Sequence, residues 1–403
     1  MLPGSTMIFT TIVLLCAVAL ATAQTPVASQ SFPFPSILTP QVPTNPPYSS
    51  SPVMKPFTLS AVTDWGRMSD WTSPYNIYRD GGGSCSLSNR TFWVFCDTTA
   101  YSKTTGNILG AASNSMTVAL SFSNPKGLKD VTMIPSTGWK PAIPFTAYED
   151  TFSGNIGTRY ALWTYTNCVQ LSETRAMHFF LVNKFSNPYS SRQYGNTMAI
   201  YTLDPVTNQI TIERPEQFWY TNQTYGYGSF ASVVVNKVAY LYGLDRTYSG
   251  SYDVHLAKVP VGYETNRNYY RYYDAAAGAF SYTMPVPTAR RRANAVIQGT
   301  MPFSTGTVFW SAYHNAYLLV FFNNWVDSTF RVLSAPSPTG PWNVSNSVLY
   351  RSTPGEGGFN YGGNASPIYY QQPGQIAGKE LLLQYSYQNT SNTYPKILQV
   401  TFN

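Results

Sequence analysis

Two aspartates stand at matching ends of one hairpin-like stretch. Asp80 opens the run DGGGSCSL and Asp97 closes RTFWVFCD, with Ser88-Asn89 midway between them. If the chain turns at Ser88-Asn89, positions 80 and 97 face each other, because both are equidistant from that turn. Like charges held this close raise the pKa of one partner, which lets a carboxylate pair supply an acid and a base. Glu149, followed by Asp150 in TAYED, precedes the next β-rich run and is the third candidate acid. The plainer reading is that both aspartates bond backbone amides of their own turns, as Asp commonly does. The same register sets Cys96 opposite Gly81, which argues against a Cys85–Cys96 disulfide. Cys85–Cys168 is an alternative, and the pairing is open at this level.

Other chemistries find little support. His178, His255 and His314 fall within or beside strand-like runs, where a lone histidine is usually a hydrogen-bonded packing residue. The sequence holds no GxSxG, HExxH or phosphate-binding loop, and the cysteine spacing fits no zinc pattern. Neither a metal nor a cofactor is expected.

The elements that must position these acids are β-strands. Of the 403 residues only 11% are charged, against 16% aromatic, including 32 Tyr. Ordinary soluble domains carry about 25% charged residues, and helical bundles and coiled coils need abundant Glu, Lys, Ala and Leu. The net charge of +7 is spread thinly. Its one dense cluster, Arg290-Arg291-Arg292, reads as a solvated turn, so no nucleic-acid partner is expected.

The start of the chain suggests export. Residues 7–20 (MIFTTIVLLCAVAL) form an apolar run followed by Ala21-Thr22-Ala23, a small-x-small cleavage site. Residues 1–23 are read as a signal peptide, too short to span a membrane, and the mature chain as a secreted, extracellular monomer. Residues 24–55, rich in Pro, Ser and Thr, are read as a flexible leader. Sequons at Asn89, Asn222, Asn343 and Asn389 are expected glycosylation sites, and Asn364 is a poor one because Pro367 follows its Ser366.

Residues 56–403 contain a repeat. Five apolar runs, 90–97, 176–184, 236–245, 315–324 and 379–387, are each preceded by a strand of smaller residues and followed by an alternating strand. Five units of about four antiparallel strands fit an all-β five-bladed β-propeller. The last unit has three strands of its own, and 57–65 is expected to supply its fourth, closing the ring between the chain ends. In that fold the starts of the inner strands gather at one funnel mouth. Flat rings there suit sugar faces, so Trp163, Tyr227, Tyr361 and Asn364 are expected to bind substrate.

At this point the motifs resemble a known family. Arg79-Asp80-Gly81-Gly82, followed by Phe92-Trp93-Val94-Phe95-Cys96-Asp97-Thr98, is similar to the opening of a secreted five-bladed propeller family long known only as a domain of unknown function. Some of its bacterial members are assigned as endo-D-arabinanases. PFTAYE at 144–149, RYALW at 159–163, Gly340-Pro341-Trp342 and the closing KILQVTF also match, in order, over about residues 57–403. Asp80, Asp97 and Glu149 fall on the family's acidic positions. Cys96 stands where a Gly is usual, and Asn364 where a His is expected. The resemblance implies a glycoside hydrolase acting on a furanose-containing, arabinan-like polysaccharide. The alternative is a non-catalytic propeller that binds a cell-wall glycan.

Overall fold

Ala316–Phe322 (AYLLVFF) is buried at every position, as are its neighbours Thr305–Ser311 and Thr329–Ala335. A strand covered on both faces loses its apolar/polar alternation, which accounts for the continuous apolar runs in the sequence. Gln209–Arg214, at an outer position, keeps the alternation (QITIER, with Ile210, Ile212 and Arg214 inward). The computed structural model describes residues 28–33 and 55–403. Excepted within the latter are 89, 134–137, 153–157, 188–189, 216–217, 246–251, 287–291, 300–302, 324–326, 356–358, 372–373 and 389–392. The signal peptide and Asn89 and Asn389 therefore lie outside the described residues.

The described residues form an all-β molecule of antiparallel sheets that follow one another along the chain. The first unit contains Gly82–Leu87, Arg90–Phe95, Ser115–Ala119 and Leu128–Asp130, with Tyr75–Arg79, Thr98–Ser102 and Ile108–Ala112 continuing it outward. The second is built on Arg159–Trp163, Arg175–Asn187, Ser190–Asp204 and Gln209–Arg214, and the third starts at Ala231–Val235. The fourth runs from Thr305–Ser311 to Asn343–Arg351. In the fifth, Asn360–Ser366, Glu380–Gln388 and Thr393–Phe402 are joined by Leu59–Arg67 from the start of the folded region. The expected pairing of the two chain ends is thus present.

Packing links each unit to the next. Separate apolar cores lie between the first and second, second and third, third and fourth, and fourth and fifth units. A further core sets Trp93, Phe95 and Leu128 of the first unit against Tyr369, Leu382 and Ile397 of the fifth. One disulfide joins Cys85 in the first unit to Cys168 in the second, which resolves the open pairing and leaves Cys96 as a buried free thiol.

One departure concerns the leader. Ala28–Pro33 is an edge strand antiparallel to Gln209–Arg214. Gln30 and Phe32 turn inward and Ser29 and Ser31 outward, and Phe32 packs on the core between the first two units. A Pro/Ser-rich segment tolerates this place because an edge strand needs only half of its backbone groups paired, and Pro33 ends the strand.

Candidate active site

The hairpin turns where the sequence places its turn. Leu87 pairs with Arg90, Gly82 with Phe95, Arg79 with Thr98 and Tyr75 with Ser102, one unbroken register. At its middle the regular ladder lapses between the inner and outer sheets of the first unit. Only the Asp80 amide bonded to the Asp97 carbonyl (2.8 Å) and the Cys96 amide bonded to the Gly81 carbonyl (2.7 Å) continue it. Asp80 and Asp97 occupy that joint, opposite each other and on the same face. The bend needs glycine: a Cβ on Gly82 would lie 2.3 Å from the Val94 carbonyl oxygen, and one on Gly81 2.7 Å from the Tyr165 ring.

Asp80 remains partly exposed but sits deep among its neighbours. Its Oδ1 accepts from the Gly81 amide (2.6 Å) and the Ser386 hydroxyl (3.2 Å), and its carboxyl also bonds the Tyr361 side chain. Tyr361 and Ser386 are themselves cross-strand partners in the fifth unit. Burial, reinforced by the charge of Asp97, raises the Asp80 pKa to about 6 despite these bonds. The adjacent Arg79 gives no relief, because its guanidinium is buried in an ion pair with Asp130.

Asp97 is held differently. Burial raises its pKa as well, but the Trp163 indole donates to Oδ1 (2.9 Å) and the positive charge of Arg159 favours the ionised form. Trp163 and Arg159 lie four residues apart on one strand, and both pack on Phe185: the Arg159 guanidinium 4.0 Å above its ring, the Trp163 ring edge-on at 5.7 Å. The two carboxyls are thus differentiated. Asp80 lies in a neutral setting that favours its protonated form, and Asp97 faces an N–H donor and a cation.

A cavity of about 780 Å³ opens beside Asp97, with Trp139, Tyr160, Arg159, Lys140 and Asp150 among its walls. Of the two neighbouring acids in TAYED it is Asp150 that reaches this space. Glu149, expected as the third acid, is instead buried in structural bonds. Its Oε2 and Oε1 take the two ends of the Arg214 guanidinium (2.5 and 2.7 Å), and Oε2 also accepts the Thr146 amide (2.9 Å), closing a capping box on Ala147–Asp150. The capping-box pattern Thr-x-x-Glu in TAYE was the available signal.

Of the four expected substrate contacts, Trp163 and Tyr361 meet the aspartates. Tyr227 does not: it is buried in the core between the second and third units, against Trp219 and Tyr272. Asn364 lies close by but is wholly buried, its amide donating to the Gly82 carbonyl (2.6 Å) and the Tyr165 carbonyl (3.2 Å), so it ties strands together beneath the site. Burial also excludes it as a glycan acceptor, whereas Asn222 and Asn343 are exposed. Tyr165, Ser386 and Arg159 are site residues that the sequence pattern did not single out. His178 bonds Thr164 and Thr166, His255 stacks on Tyr225 and His314 bonds Ser311, all three in packing positions.

No protein-family model and no curated protein sequence matches the chain. Among solved structures, one similar chain is a Bacteroides ovatus protein described as a candidate hydrolase. It shows 16% identity and a TM-score of 0.58, covering 80% of this chain and 85% of that one. A family 117 glycoside hydrolase from the marine bacterium Zobellia galactanivorans (10% identity, TM-score 0.48, 86% and 91% covered) is more distant. So is a GH43_1 enzyme from Xanthomonas citri, seen with xylose (9%, 0.42, 86% and 89%). The chain therefore shares the fold of the first.

Proposed function

We propose that this chain is a secreted five-bladed propeller glycoside hydrolase acting on a furanose-containing, arabinan-like polysaccharide, with Asp80 and Asp97 as its catalytic carboxyls. The observation that carries the reading is the opposed pair itself, two buried acids at one joint, of which Asp97 alone also meets an N–H donor and a cation. Asp80 supplies a proton to the leaving glycosidic oxygen. Asp97, ionised, attacks the anomeric carbon. Asp97 is assigned as nucleophile, and Asp80 as acid and then as the base that activates the water that hydrolyses the Asp97 glycosyl ester. Trp139, Tyr160 and Trp163 offer rings for sugar faces, and Asp150 offers a hydrogen-bond acceptor for hydroxyls. Glu149 holds the loop that delivers Asp150.

The test is to incubate the purified protein, and its Asp80→Asn and Asp97→Asn variants, with arabinans, fructans and cell-wall glycans. Oligosaccharides released by the wild type alone support the assignment. Binding without release, unchanged in either variant, would instead identify a non-catalytic glycan-binding protein.

A further inference from the structure

The space enclosed by the first strands of the five units is divided in two by a hydrogen-bonded plug. Ser84 Oγ donates to Asn167 Oδ1 (3.0 Å) and is bonded to Ser366 Oγ (3.0 Å). The Asn167 amide donates to Thr307 Oγ1 (3.2 Å) and the Ala365 carbonyl (2.5 Å). With Asn364 reaching Gly82 and Tyr165, these bonds stitch together the first, second, fourth and fifth units. Asp80 lies on one side. On the other side is a separate cavity of about 820 Å³, larger than the one beside Asp97.

We infer that this second cavity is a binding site for a neutral saccharide, independent of the aspartate pair. Ser86, Gln170, Ser232 and Thr307 contribute to its wall, one from each of the first four units, and Ile368 follows the inner strand of the fifth. Ser232 and Trp310 are only 9% and 7% exposed. Ser86, Ser232 and Thr307 bring hydroxyl side chains to the wall and Gln170 a carboxamide, groups that pair with sugar hydroxyls. Trp310 and Phe309 add aromatic surface for a ring face. The two charged side chains at the rim, Glu173 and Lys237, are exposed and opposite in sign, which favours an uncharged ligand. The volume lies within the roughly 300–1,000 Å³ of small-ligand sites. Six residues of extended chain separate Asp80 from Ser86, so the two sites lie about 20 Å apart.

The test is calorimetric titration of the full chain with xylose, arabinose, glucose, xylobiose and cellobiose, followed in parallel by tryptophan fluorescence. At least one of these sugars is expected to bind saturably to the wild type and equally well to the Asp80→Asn/Asp97→Asn variant. Ser232→Leu, which fills the cavity, should weaken that binding at least tenfold. Trp310→Phe keeps most of the ring volume and should abolish the fluorescence change while weakening binding severalfold. Thermal melts of both variants verify folding, and Trp310→Phe serves alone if Ser232→Leu does not fold. The proposal is overturned if no sugar saturates, if the aspartate variant loses the binding, or if the cavity variants leave it unchanged.

Discussion

The Trp163 indole donates to Asp97 Oδ1 at 2.9 Å, so a strand of the second unit offsets part of the burial that raises the pKa of an acid in the first. A hydrogen bond to the ionised carboxylate lowers its pKa, and Trp163→Phe removes it. In the proposed mechanism Asp97 works ionised, so activity is expected to fall as pH drops through its pKa. Without the indole that fall begins at higher pH. The acid limb of kcat/KM against pH is expected to move upward, with a loss of about tenfold or more on the acid side, since bonds to charged groups contribute about 1.5–3 kcal/mol. An unmoved acid limb would remove Asp97 from the reaction.

Asp80 sets the opposite limb. In the proposed mechanism its protonated form is the active one, so activity is expected to decline as pH rises through about 6, and Asp80→Asn to lower kcat by about 10²–10⁴-fold. The same shift affects stability. The folded state holds this proton up to about 6, whereas the unfolded chain releases it near 3.8. Stability is therefore lost as pH rises between those values, and the penalty stays constant above them. Asp80→Asn is expected to raise the melting temperature at pH 7 by roughly 1–3 °C, with the gain vanishing below pH 3.8. Calorimetric melts at the two pH values decide it.

Glu149 and Arg214 make a different prediction. Both are buried, and removing one partner strands the charge of the other. Glu149→Gln should cost about 3–5 kcal/mol and loosen the turn that carries Asp150. Denaturant unfolding measures the first effect. If Glu149 were the catalytic acid, the folded fraction of the variant would lose its turnover altogether, whereas a loop-holding role predicts a rise in KM with kcat largely kept.

The Cys85–Cys168 bridge encloses a loop with a sequence separation of 83 residues. Replacing both with serine is expected to lower unfolding free energy by about 2–4 kcal/mol, through the restored freedom of the unfolded chain. Cys96 should stay unmodified by thiol reagents in the folded state. Burial, with the nearby aspartates, pushes its pKa far up, and its thiol donates to the Thr164 carbonyl at 2.9 Å. Rapid labelling of Cys96 in native protein would contradict this.

What the sequence disclosed was local. The opposition of Asp80 and Asp97 follows from turn position alone, and the apolar middle strands announce their own burial. Tyr165 and Ser386 reach Asp80 only because three separate units converge there, and neither carries a local signature. Tyr227 misled for a related reason: a tyrosine in a glycine-rich turn fits a binding rim, yet Trp219 and Tyr272 close over it. Glu149 was an acid in the right loop, but its neighbour points the useful way. The strand at Ala28–Pro33 was hidden because its composition is that of a linker, and only the open edge at Gln209–Arg214 gives it a place.

Thr393–Phe402 lies between Glu380–Gln388 and Leu59–Arg67. Among the described residues Leu59–Arg67 pairs with no other strand, so during synthesis it keeps an open edge until Thr393–Phe402 has emerged. The fifth unit cannot assemble piecemeal as the chain emerges. Without Thr393–Phe402, Leu59–Arg67 would have no partner strand and Glu380–Gln388 would keep one open edge, so a single strand ties the start of the folded region to the fifth unit.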